Sequence, residues 1–244
     1  LTDGGPGAIP KELYGYHPMG ITAEKLAEVY GITREQQDEF AMSSQVKMAE
    51  AIRAGYFLDQ IVPVPVGEGD SERLFSVDEH PFLSSMEKLA ALKPAFKKDG
   101  TVTAGNSSGR NDGASAVLVM SQEKQEALGY QPMAKIIGVG TSGCDPTMMG
   151  LGPVESSRLA MGRAGVSLRD LDVIELNEAF AAQSLAVIEE WKKQGIDEAE
   201  LLAKINPNDG AIAHGHPLGC TGSALTVKCM YELRRRPEAR CGMI

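Results

Sequence analysis

The chain reads as an α/β protein in which helices cover the faces of a sheet. Three observations predict this class. Apolar, β-branched runs at 114–120, 134–140 and 172–176 alternate with stretches of helical spacing. Twenty-seven glycines punctuate the 244 residues and mark many tight turns or close backbone approaches. The hydrophobic share of 43% over this length provides for a sizeable core.

The first third is helical in pattern. Thr22 is placed to cap a short helix through Tyr30, which Gly31 breaks. Thr33-Arg-Glu-Gln36 has the capping-box pattern and opens a second helix. Along it Phe40, Ser44, Met48, Ala51 and Ile52 recur at helical spacing until Gly55 ends it. In Ile61-Val-Pro-Val-Pro-Val66 the β-branched residues favour a strand, and two prolines confine it to an edge. Residues 67–85 are polar and turn-rich, a surface excursion. From Thr101 the character changes. A Gly/Asn/Ser turn follows Thr101-Val-Thr-Ala104 and precedes a buried-type strand at 114–120. A linking helix or loop at 122–130 leads to a strand beginning at 134–140. A helix at 154–164, a strand at 172–176, a helix at 179–193, a short strand around 204–206 and a last helix at 223–235 complete the order.

The net charge of −9 argues against a general nucleic-acid binder, which needs a basic surface. A small anionic ligand needs only a few cations or a helix N-terminus. Cys144, Cys220, Cys229 and Cys241 show neither a CxxC pair nor metal-ligand spacing. Reduced thiols in an intracellular, cytoplasmic setting are therefore expected, with no metal site. No apolar run reaches transmembrane length, so no membrane partner is expected. The chain lacks an initiating Met, and it is expected to be a piece that opens mid-loop at Leu1 and stops in a strand beginning at Gly242-Met-Ile244.

Chemistry concentrates at two places. Asp172-Val-Ile-Glu-Leu176 delivers Asn177 and Glu178 to the carboxyl end of a strand, where ligand sites of open α/β sheets gather. An Asn amide there donates to a carbonyl oxygen or holds a water that does so; a plain helix cap is the alternative. His216 lies in Gly215-His216-Pro217, where Pro217 extends the histidine's backbone and Gly215 permits close approach. A helix N-terminus near Thr221 favours developing negative charge beside it. A buried structural histidine is the alternative. The two together suggest polar groups converging on an oxyanion. No convincing nucleophile accompanies them. The turn from Thr103 to Ala114 suits the amides of an extended substrate arm or a plain sheet crossing; without a Walker lysine it is not a phosphate loop. Arg234-Arg-Arg236 complements the dipole at the end of the last helix.

Four motifs stand in order over essentially the whole chain. They are His17-Pro-Met-Gly-Ile-Thr-Ala-Glu24, Thr103-Ala-Gly-Asn-Ser-Ser-Gly109 with Asn111-Asp-Gly-Ala114, Asn177-Glu-Ala-Phe180, and Gly215-His-Pro-Leu-Gly-Cys-Thr-Gly222. Together they resemble the thiolase family of acyl-CoA C-acyltransferases. The related ketoacyl synthases share the architecture but are not expected to carry the Asn-Glu-Ala-Phe and Gly-His-Pro pair. The resemblance implies a five-layer α/β/α/β/α enzyme, a homodimer or homotetramer. It would cleave 3-ketoacyl-CoA with CoA, or condense two acyl-CoA molecules in reverse, with CoA as substrate and no resident cofactor. A cysteine thioester carries the acyl group, and a second cysteine moves the α-carbon proton. His216 is implied to activate the nucleophile and bind the thioester oxygen, and Asn177 to hold a water in the same oxyanion hole. Ala104 and Ser108 are implied to line the pantetheine tunnel, Phe96 to pack on its arm, and Met19, Ala179 and Phe180 to lie near the acyl end. Residues 1–96 correspond to the lid and loop region of the N-terminal domain, 97–122 to the last part of its core, and 123–244 to the C-terminal domain.

There are departures. The family's nucleophile falls upstream of Leu1, and its second cysteine, which heads a Cys-x-Gly-Gly-Gly run, falls just beyond Ile244. Cys241 is followed by Gly242-Met-Ile244 and is expected to begin the last strand. Asp209 and His214 replace a glycine and an apolar residue usual before the histidine. Arg110 stands at a normally apolar tunnel position, and Phe82 where an arginine often stacks on the adenine of CoA. The alternative is a non-catalytic, thiolase-like acyl-CoA or lipid-binding protein. A chain of this extent is also expected to expose an apolar face where the rest of the first domain would pack.

Overall fold

The structure, a computed structural model, describes Leu13, Gly15 and residues 17–244. The expected opening loop at Leu1 lies outside the described residues. Helix α1 (Met19–Tyr30) begins ahead of Thr22, because Pro18 is extended and serves as its N-cap. The Thr22 hydroxyl instead donates to Met19 O at 2.7 Å, inside the first turn. Gly31 closes α1 in the left-handed conformation, where glycine carries no Cβ penalty. Helix α2 (Arg34–Arg53) opens on the Thr33–Gln36 capping box, as its sequence requires. Ser44, Met48 and Ala51 are buried, whereas Ile52 faces outward.

Val64–Val66 (β1) and Arg73–Phe75 (β2) form an isolated antiparallel hairpin, with Pro65 opposite Leu74. The polar excursion thus carries a strand of its own. Short helix α3 (Met86–Ala90) follows, then the turn at Ala104–Asn106. Asn106 is buried there, accepting from the Thr103 N–H and donating to Asp38 and Thr101 O. Glu24 receives the backbone N–H groups of Thr101 and Val102. These bonds fasten the turn to α1 and α2.

Helix α4 (Gln122–Leu128) is separated from α5 (Gly152–Ala164) by an irregular stretch and a 3-10 turn at Pro146–Leu151. Neither expected strand flanking α4 forms. Residues 114–120 and 134–140 have no sheet partner among the described residues, and Leu118 (78%), Val119 (67%) and Ile136 (66%) are exposed. Their β-branched composition favours a pleated surface, but ladder bonds need a second strand alongside. Exposed apolar side chains thus gather along these two segments.

The core gathers around α6 (Ala181–Lys192). One side packs Val187, Ile188 and Trp191 with Met161, Leu168, Leu171, Leu201 and Ile205. Another packs Ala182 and Ala186 on Leu26, Ala27 and Ile32 of the α1 region. Small residues on α6 let α1 and α2 approach closely. Strand β3 (Val173–Ile174) is central, parallel to β4 (Gly242–Met243) on one side and bridged to Ile205 on the other. The expected strand at 204–206 is thus a single bridge beyond α7 (Glu198–Lys204). Helices α8 (Ala211–His214) and α9 (Thr221–Arg235) follow. Asn206, with φ of 45°, completes the sheet edge by side chain. Its Oδ1 accepts from Leu176 N–H and its Nδ2 donates to Leu176 O, both at 2.8 Å.

Asn206→Ala should therefore cost about 2–4 kcal/mol of stability in urea unfolding, since it strands two buried backbone groups and leaves a side chain with a Cβ at positive φ. Asn206→Gly should recover only the conformational part. Wild-type stability in the alanine variant would refute this role.

Candidate active site

Asn177 leaves β3 where the Asn206 clamp ends. Helix α6 starts at Ala181 with Phe180 as N-cap, so Asn177 is not a helix cap. The following residue, Glu178, is buried and accepts from Ser44 Oγ at 2.7 Å, Asn206 Nδ2 at 2.9 Å and Ile212 N–H at 3.3 Å. Burial raises its pKa against those donors. Gly210 lies so close that a Cβ there would collide with the Glu178 carboxylate.

His216 is set by its turn. Gly215 has φ of 100°, and a Cβ on it would lie 2.5 Å from Asn111 Oδ1. That oxygen accepts the His216 backbone N–H at 3.0 Å. A parallel bridge between Arg110 and His216 adds to the tie. The ring's Nδ1 is 2.7 Å from Thr221 Oγ1, whose hydroxyl donates to Pro217 O at 3.1 Å. Having spent its proton on Pro217, the hydroxyl accepts from Nδ1–H, which leaves a lone pair on Nε2. Nε2 lies 3.4 Å from Asn177 Nδ2. Partial burial lowers the His216 pKa and favours the neutral base. Asn177 Oδ1 is buried without a hydrogen-bond partner. A proton acceptor and an amide donor therefore share one point in space, although 39 positions separate them in sequence.

Beside them an open groove of about 390 Å³ is lined by residues 111–115 and 217–220. Phe96 meets Phe180 edge-on, with centroids 5.8 Å apart, and its ring lies against Gly20, next to Met19 at the start of α1. Ser108 N–H donates to Ala179 O at 3.0 Å, and Ser107 bridges Phe180. Phe96, Ser108, Ala179 and Phe180 thus form one surface, while Ala104 is exposed in its turn.

Among the described residues no cysteine sulfur is hydrogen-bonded to His216 or Asn177. Burial raises all the shifted thiols: Cys220, where Asp78 adds to it, Cys241, and Cys229, which reaches about 12. Cys241 leads into β4, its backbone bonded to Asp172. Sequence reasoning missed Thr221 as tautomer setter, Asn111 as turn anchor and Asn206 as clamp. Thr221 and Asn111 lie within the quoted motifs, and Asn206 stands nine residues before Gly215. Thr221 acts across five positions, whereas Asn111 and Asn206 act across 105 and 30.

Residues 8–123 match the thiolase N-terminal domain and residues 130–244 the thiolase C-terminal domain. The chain is 49% identical over 230 residues to an acetyl-CoA acetyltransferase of Syntrophomonas wolfei subsp. wolfei, covering 94% of this chain and 57% of the relative. It is 52% identical over 230 residues to one of Pseudomonas aeruginosa, with 93% and 56% covered. The crystal structure of the Bacillus anthracis acetyl-CoA acetyltransferase superposes with a TM-score of 0.85 at 48% identity, covering 91% of this chain and 55% of that one. Human mitochondrial 3-ketoacyl-CoA thiolase in complex with CoA gives 0.84 at 43% identity, with 95% and 56% covered. The chain spans little more than half the length of these relatives. With both domain patterns matched and its Asn-Glu-Ala-Phe and Gly-His-Pro motifs meeting at one point, the chain belongs to the thiolase family.

Proposed function

We propose that the chain is the histidine- and asparagine-bearing part of an acyl-CoA C-acyltransferase. The whole protein cleaves 3-ketoacyl-CoA with CoA, or condenses acyl-CoA molecules in reverse, through a cysteine thioester whose nucleophile lies outside these residues. The observation that carries this reading is the 3.4 Å approach of Asn177 Nδ2 to His216 Nε2. His216 Nε2 takes the proton of the nucleophilic cysteine thiol, and the thiolate attacks the 3-keto carbonyl. The bond between the α- and β-carbons breaks, and the acyl group stays on sulfur as a thioester. The shortened CoA thioester leaves as an enolate that the second cysteine protonates at the α-carbon. The thiol of CoA then takes the acyl group. The imidazolium N–H, and a water held by Asn177, donate to the thioester oxygen, on which the negative charge of the enolate develops.

In this reading Phe96, Ala104 and Ser108 guide the pantetheine arm, with Met19, Ala179 and Phe180 at the acyl end. The complete protein has the five-layer α/β/α/β/α arrangement, divided here at 1–96, 97–122 and 123–244, and works as a cytoplasmic homodimer or homotetramer. No helix among the described residues is long and apolar enough to cross a membrane. Arg110 and Phe82 at altered tunnel and adenine positions, together with the lack of a cysteine bonded to His216 among the described residues, motivate a second reading, a non-catalytic thiolase-like acyl-CoA- or lipid-binding protein. Calorimetry with CoA, beside an acetoacetyl-CoA thiolysis assay of the gene's whole product, separates the two. Binding without turnover favours the second.

The 244-residue chain alone should show no thiolysis, since His216 has no thiol to serve. Turnover by this chain would contradict the proposed division of labour. In the gene's whole product, His216→Ala should lower kcat by about 10³-fold or more, and Asn177→Ala by about 10–10³-fold. The base works neutral, so the acid limb of kcat/KM should fall below pH 6.5, the usual imidazole value, because burial lowers the His216 pKa. An acid limb above that value would assign the base elsewhere.

A further inference from the structure

Asp209 and His214 are partners in space. His214 ends α8. Its Nδ1 is bonded to the Asp209 carboxylate, its Nε2 lies 2.8 Å from Asp78 Oδ2, and its ring meets Phe57 edge-on at 5.4 Å. Asp209 also pairs with Lys228 of α9, which lies 3.3 Å from Glu175 beyond β3. Asp78 belongs to the excursion at 67–85, and neighbouring points of that segment press on the site. The His80 ring lies against Gly109, and Ser84 N–H donates to Gln45 Oε1 at 2.8 Å. The charge of Asp78 is felt at Cys220, which lines the groove. At His214 the excursion, the turn before His216 and the helix bearing Thr221 therefore meet.

We propose that His214, bonded through one ring nitrogen to Asp209 and through the other to Asp78, is a positioning residue. It latches residues 67–85 along the rim of the groove beside His216, and so governs how tightly the site holds its thioester ligand. The ligand rests on the acyl-CoA reading above; the latch itself rests only on these contacts.

Bridging two carboxylates takes two N–H donors, which an imidazole has only when protonated. Burial pushes the His214 pKa down, but Asp209 and Asp78 outweigh it and hold the ring at about 9. The bond to His214 lowers Asp78, and Lys228 with His214 hold Asp209 at about 2 against its burial. Lys228 is the facing charge that opposes the imidazolium. The His214 pKa is raised above the ordinary 6.5, so its contribution is complete below that pH and fades as pH rises through about 9. The Asp78 contribution is lost instead as pH falls through its lowered value. Between these limits the latch is closed. Deprotonation leaves one N–H, and the exposed carboxylate, Asp78, is the one released.

Histidine Cε1–H titrations by NMR and limited proteolysis within 67–85 test this in the 244-residue chain and its Asp78→Asn, Asp78→Glu and His214→Gln variants. One imidazole should titrate near 9 and vanish in His214→Gln. It should fall by about one unit in Asp78→Asn and return in Asp78→Glu. Cleavage near Arg73 should rise severalfold in Asp78→Asn. In the gene's whole product Asp78→Asn should raise KM for the acyl-CoA about five- to tenfold while kcat stays within about twofold. No histidine titrating above about 8, or unchanged cleavage and KM in Asp78→Asn, overturns the latch. A wild type without thiolysis overturns the acyltransferase reading alone, because titration and cleavage still judge the latch.

Discussion

The Glu178 carboxylate is the joint on which the site depends. It gathers a hydroxyl from α2, the Asn206 amide two residues beyond α7 and a backbone N–H from α8. Each belongs to a different stretch of chain, and each would be a costly buried polar group without it. Removing the carboxylate would leave three donors unmet at once. The consequence is geometric: Asn177, its neighbour, cannot shift without disturbing the helix that delivers His216.

The same constraint explains why the core beneath is small and close-packed. Ala181 and Ala182 stand at the start of α6, where longer side chains would push α1 and α2 away. Ser44 reaches Glu178 only because α2 lies against that end of α6. Trp191 takes up volume at the far end, its indole N–H donating to Ser157 Oγ at 3.2 Å. Burial and site geometry are therefore one packing solution.

Local signals were the legible part of the fold. The Thr33–Gln36 box and Gly31 name helix ends because capping is satisfied within a few residues. The runs at 114–120 and 134–140 read as strands for sound reasons of composition, yet a strand is a relation between two segments and no partner lies among the described residues. The start of α1 was misplaced because Thr22 looks like a cap, and its hydroxyl turns back to Met19 O instead. Asn177 and His216 were legible as chemistry from their immediate neighbours. Their supports were not, because Asn111 and Asn206 act across 105 and 30 positions respectively.

His214 and His216 show how far neighbours, rather than residue type, decide the chemistry. One residue separates them, and both rings are partly buried. His216 faces a hydroxyl and an amide, neither of which can carry charge, so burial alone acts and the neutral base is favoured. His214 faces two carboxylates, and the imidazolium is held past neutrality despite deeper burial. Had the carboxylates stood beside His216, its Nε2 would carry a proton at neutral pH and accept none. Placing Asp209 and Asp78 on the neighbouring ring leaves burial as the influence on the His216 imidazole.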